Sequence, residues 1–186
     1  MPLGAFLIAH LAINARALWS DAAFATAIRG VHRIPALALF EWLFVFVPLL
    51  LHGAIGLWLV LTRTPLTEAS PYPGSLRIAM RATGVAALAF IVLHLTDFRF
   101  HTLDGRLGGD ELATVLEADL SSMWQGLPWR GALYLLGTAC VTFHFVAGVW
   151  AFFAKTHAGN SARARNWAAW GAAGCGAALW MLLAST

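Results

Sequence analysis

Four histidines stand in apolar surroundings: His10 in LIAHLAI, His52 in PLLLHGAI, His94 in AFIVLHLT and His144 in TFHFVAG. An imidazole in such a run costs free energy unless something uses its nitrogens. Taken singly, each is adequately read as a packed histidine bonded to a neighbouring carbonyl. One histidine in each of four successive apolar spans points instead to ligation. The other three, His32, His101 and His157, fall in loops.

Helical rise sorts the four by depth. His52 precedes Arg63 by eleven positions and His144 precedes Lys155 by eleven, which puts each about 16 Å from one membrane face. His94 is three positions before Asp97 and His10 six before Arg16, so both lie toward the opposite, outer face. Helices one and three run one way and helices two and four the other. Each level is therefore served by one parallel pair on opposite corners of a bundle. Two facing imidazoles clamp a haem iron from both sides, close both axial positions, and favour electron transfer over oxygen binding. The expected cofactors are two b-type haems, the outer one between His10 and His94 and the inner one between His52 and His144. Zinc fits less well, since a tetrahedral site needs four ligands at one depth and no Cys, Asp or Glu joins either pair.

Two macrocycles stack only if the third helix begins near Ser75, which separates the levels by about 12 Å and puts Arg81 inside that helix. A guanidinium there reads either as the partner of a haem propionate or as a side chain snorkelling to the headgroups. Glu41 lies eleven positions before His52, about 16 Å outward and near the outer level. It reads either as a carboxylate exchanging protons with a quinone or as an interfacial acid. Gly53, Gly56, Gly84, Gly137 and Gly148 flank the histidines, which suits the close approach of a flat macrocycle and equally suits helix packing.

The elements that must position these residues are membrane helices. The 186 residues are 60% hydrophobic and 11% charged, less than half the usual charged fraction of about 25%. Apolar runs near 3–18, 37–62, 76–97, 131–154 and 166–183 predict an all-α integral membrane protein of one domain, 1–186. Five transmembrane helices are expected, four forming the haem-binding bundle and the fifth peripheral. Between Arg99 and Arg130, GDELATVLEADL sets Leu112, Val115, Leu116 and Leu120 on one face, an interfacial amphipathic helix near 110–120. Eighteen residues from Met1 to Leu18 rise only about 27 Å, so the first span reads as clipped at its start. No cleaved signal peptide is expected before it. The two cysteines, Cys140 and Cys175, lie in apolar runs without a C-x-x-C and read as packing residues. A net charge of +3 is too small to argue for a nucleic-acid partner. Lys and Arg tie at six on each side, and the side with Arg63, Arg77, Arg81, Lys155, Arg163 and Arg165 is placed in the cytoplasm. Two rival readings share the histidines: the cytochrome b subunit of a hydrogenase or formate dehydrogenase, and a transporter relaying protons.

The segments PLGAFLIAHLAIN, FEWLFVFVPLLLHGAIGLWL, RATGVAALAFIVLHL and FHFVAGVWAFF occur in the order and spacing of a known family. They resemble the five-helix, di-haem cytochrome b anchor subunits of succinate dehydrogenases and fumarate reductases that work with menaquinone. The resemblance implies haem ligation by His10, His52, His94 and His144, and a quinone site near the outer haem. It also implies a bacterial or archaeal cytoplasmic membrane holding, on its cytoplasmic face, a FAD-containing flavoprotein subunit and an iron-sulfur subunit. The family's basic segment before Pro-Leu-Gly has no counterpart here, where Met1 directly precedes Pro2.

Overall fold

The computed structural model describes residues 2–62, 74–100 and 112–155, together with 174, 176–178 and 180–181. Helices dominate these residues, and no named strand occurs among them. Helix α1 spans Pro2–Asn14 and continues as a 3-10 turn, Ala15–Leu18. Helix α2 spans Asp21–His32. Helix α3 covers Leu37–Leu61, α4 covers Gly74–His94 with a wider π turn at Leu95–Phe100, α5 covers Leu112–Leu120, and α6 covers Trp129–Lys155.

Three helices, Leu37–Leu61, Ser75–Arg99 and Trp129–Phe153, are long and apolar enough to cross a membrane at 25 residues each, about 37 Å of rise. They correspond to the second, third and fourth expected spans. The first span appears as the shorter apolar helix Pro2–Leu18. Most of the fifth lies outside the described residues. Two of those described touch α6: Gly176 is buried against Val146, and Trp180 Nε1 donates to the Leu135 carbonyl at 3.4 Å.

Helix α2 corrects the sequence reading, which had no element there and left His32 in a loop. Ser20 caps it, its hydroxyl accepting from the Ala23 N–H at 3.1 Å. Asp21 in the first turn, with Arg29 and His32 in the last, complements the helix dipole. Phe24, Ile28 and Val31 share one face, and Phe24 is buried. Twelve residues are too few to span a bilayer.

Proline shapes α3. Pro48 offers no N–H, and its ring would clash with the carbonyl four residues back in a regular helix. The turn before it, Trp42–Phe46, is widened, with the Val47 N–H reaching the Trp42 carbonyl five residues back. Such a wide turn is how a helix absorbs an irregularity of this kind without breaking.

Packing follows membrane rules. Large apolar side chains such as Leu50, Leu51, Ile55, Trp58 and Leu61 are exposed along α3, a surface that only lipid or another apolar partner makes tolerable. Small residues sit where helices touch. The Phe90 ring of α4 lies directly on Gly137 of α6, Leu88 of α4 is 3.1 Å from where Gly53 of α3 would carry a Cβ, and Phe145 of α6 is 3.0 Å from the same point on Gly4 of α1. Helix α1 also contacts α3, and the most extensive interface joins α4 to α6. Around the bundle the order is α1, α3, α4, α6, so α1 faces α4 across one diagonal and α3 faces α6 across the other.

Candidate functional site

The four membrane histidines meet across those diagonals. His10 of α1 and His94 of α4 have ring centroids 5.8 Å apart with planes at 83°. His52 of α3 and His144 of α6 have centroids 6.1 Å apart with planes at 73°. Two metal–nitrogen bonds of about 2 Å plus two imidazole radii of about 1 Å give about 6 Å between the ring centroids of a bis-histidine centre. Both pairs match that span. Imidazoles held by one metal from opposite sides would be free to turn about the line joining their nitrogens, so steep interplanar angles are compatible with that arrangement.

The inner pair has a built environment. The His144 Nδ1 lies 3.2 Å from the Met80 carbonyl oxygen of α4, and an N–H there leaves Nε2 as the free ligand nitrogen. Glycine makes this approach possible, since a Cβ on Gly84 would stand 2.8 Å from the His144 Cε1. Gly56 and Gly148 each lie four residues beyond a histidine, on the inward side of His52 and His144. A Cβ at either would meet nothing within 4 Å. Of the five flanking glycines, Gly53 and Gly137 instead serve helix contact. His52 is exposed, and the other three membrane histidines are half-buried.

The outer pair sits among rings. Phe6 stacks on His10 at 5.5 Å, and Phe90, Phe98 and Tyr134 surround His94 at 5.9, 5.2 and 6.1 Å. Just outward lies a charge cluster that counting along the chain did not reveal. The Tyr134 hydroxyl donates to Asp97 Oδ2 at 2.8 Å. Arg130 reaches the same oxygen at 2.6 Å and Asp119 of α5 at 3.6 Å. Glu41 of α3 is paired with Arg99 at 2.5 Å, which ties the start of α3 to the π turn of α4. One signal was available: antiparallel α4 and α6 must bring the end of one beside the start of the other, so Asp97 and Arg130 fall at one level.

Arg81 lies about two turns inside α4, half-buried and one residue after the Met80 whose carbonyl meets His144. Among the described residues no three or more His, Cys, Asp or Glu side chains converge as a metal site. What converges is two pairs, the donor number that haem iron takes from protein.

No family model matches the chain, and no solved structure does. Among curated proteins the chain is similar to the succinate dehydrogenase cytochrome b558 subunit of Bacillus subtilis (strain 168). The two are 27% identical over 154 residues, which is 82% of this chain and 72% of that protein. The chain is thus related over most of its length to a protein of the class that its four histidine segments resemble.

Proposed function

We propose that the chain is the membrane cytochrome b subunit of a succinate dehydrogenase or fumarate reductase complex, carrying electrons between an iron-sulfur subunit and membrane quinone. The observation that carries this reading is the meeting of His10 with His94 and of His52 with His144 at centroid distances of 5.8 and 6.1 Å. Similarity to a succinate dehydrogenase cytochrome b558 subunit favours it over a hydrogenase or formate dehydrogenase subunit.

Haem b, when bound, would supply one-electron transfer. His52 and His144 would hold the inner group, and His10 and His94 the outer. Met80 fixes the His144 tautomer, and Arg81 stands where a guanidinium can neutralise a propionate of the inner group. Dicarboxylate chemistry belongs to the FAD-containing partner. Arg77 and Lys155, with Arg63, Arg163 and Arg165, supply charge for docking the iron-sulfur subunit on the cytoplasmic face.

A reduced-minus-oxidised spectrum of purified protein tests this. The expected result is a b-type α-band, a ratio of two haems per chain, and co-purification of a FAD-containing subunit. A purified chain without an α-band would sink the reading.

Quinone, taken here as menaquinone, is placed near the outer pair, with Glu41 as the proton-exchanging group. Glu41→Gln keeps an oxygen for Arg99 to bond. It is therefore expected to leave haem content unchanged and to slow quinone turnover by about 10²-fold, the usual scale for losing a general acid or base. Unchanged turnover would leave Glu41 as a structural partner of Arg99.

A further inference from the structure

The two histidine pairs are held by different means. His144 has its Nδ1 against a backbone carbonyl. The His94 Nδ1 is buried and has no hydrogen-bond partner among the described residues. A metal-ligating histidine is ordinarily oriented through its second nitrogen, so at His94 the orientation has to come from packing.

The rings around His94 are unequal in what they can fix. Phe90 and Phe98 stand four residues to either side on the same helix, so they move with His94. His10 is the opposing member of the pair. Tyr134 comes from α6, and its ring also meets Phe90 at 5.2 Å and Phe98 at 6.1 Å. It closes the cage from outside α4. Its own place is pinned by the hydrogen bond to Asp97, which Arg130 holds in turn and links to Asp119 of α5. Asp97 lies in the π turn that follows His94 directly. Arg99, in the same turn, is anchored by Glu41.

We infer that Tyr134 is the positioning residue of the outer pair, walling the His94 imidazole in place while the Asp97–Arg130 chain pins the wall. This rests on reading His10 and His94 as haem ligands. The two pairs then differ in kind: a hydrogen bond through the gap at Gly84 orients the inner one, and a pinned aromatic cage orients the outer one. Disturbing Tyr134 acts on the outer haem alone.

Electron paramagnetic resonance of the oxidised full-length protein tests this, with the low-spin signal lost in His94→Ala defining the outer haem. Tyr134→Leu removes the wall, and the outer signal is expected to fall as the affinity for the outer haem drops by about tenfold, the lower range for losing an outer-shell partner of a ligand. The inner signal stays at its wild-type intensity. Tyr134→Phe keeps the ring and loses only the pin, so the outer signal persists but broadens as ring orientations spread. The inference is overturned if the outer signal keeps its wild-type width in Tyr134→Phe, or if both signals fall together. Because Tyr134→Phe preserves packing volume, it decides the matter even if Tyr134→Leu fails to accumulate. Wild-type protein lacking any low-spin signal would instead refute the ligand reading itself.

Discussion

Replacing His144 with alanine is expected to lower the haem content to about half that of wild type, with the surviving haem spectroscopically unchanged. The reason is the geometry of the bundle. His144 on α6 faces His52 on α3 at 6.1 Å, while His10 on α1 faces His94 on α4 at 5.8 Å, and the two diagonals share no ligand. Loss of His144 would leave the inner site with one histidine where a bis-histidine centre needs two. His52→Ala should give the same half-loss, and His94→Ala or His10→Ala the complementary one. His32→Ala is the control, since His32 lies in the last turn of α2 and contributes to neither pair; it should leave both haems in place. Haem content per chain, measured on protein of matched helicity, reads all five variants. An equal loss of both haems from His144→Ala would mean that the pairs are not independent sites.

What made these pairs legible is that depth in a membrane helix is one-dimensional. Hydropathy marks where a helix crosses, and a constant rise per residue converts sequence distance into depth. His52 and His144 could therefore be put at one level by counting to Arg63 and Lys155, before any fold was known. What counting does not supply is azimuth. Each residue turns the helix by about 100°, so one residue of irregularity redirects every side chain beyond it. Helix α3 contains such an irregularity at Trp42–Phe46. Eleven residues of regular helix come to about three full turns, which would put Glu41 on the same face as His52. With the widened turn between them, Glu41 is found on Arg99 of α4 instead. In the second π turn, directly after His94, Asp97 similarly meets Arg130 and Tyr134, partners whose level could be counted but whose azimuth could not. Helix α2 escaped for a different reason. Its Phe24, Ile28 and Val31 are diluted by alanines, and only Ser20 followed by Asp21 marks its start.

Gly84→Ala is expected to cost the inner haem selectively, and the argument turns on competing magnitudes. In the interior of a helix, glycine to alanine is ordinarily favourable by about 1 kcal/mol, because the backbone entropy lost on folding is smaller. At Gly30 of α2, where a Cβ would meet nothing within 4 Å, that gain should stand and haem content should not change. At Gly84 the added Cβ would lie 2.8 Å from the His144 Cε1 and 3.2 Å from its Nδ1, so the imidazole must move. Overpacking of this kind costs about 1–3 kcal/mol, which already offsets the propensity gain. The larger consequence is chemical. The displaced ring gives up the Met80 carbonyl at 3.2 Å, and with it the contact that fixes tautomer and orientation, a loss typically worth about 10–100-fold in metal affinity. His94 lies ten residues further along α4, about 15 Å by helical rise, so the outer pair with Tyr134 and Asp97 should be untouched. The expected spectrum is therefore that of His144→Ala in milder form, with inner haem partly lost and outer haem retained. Full retention of the inner haem in Gly84→Ala would mean that the Met80 contact does not orient His144, and that the inner pair, like the outer, is held by packing alone.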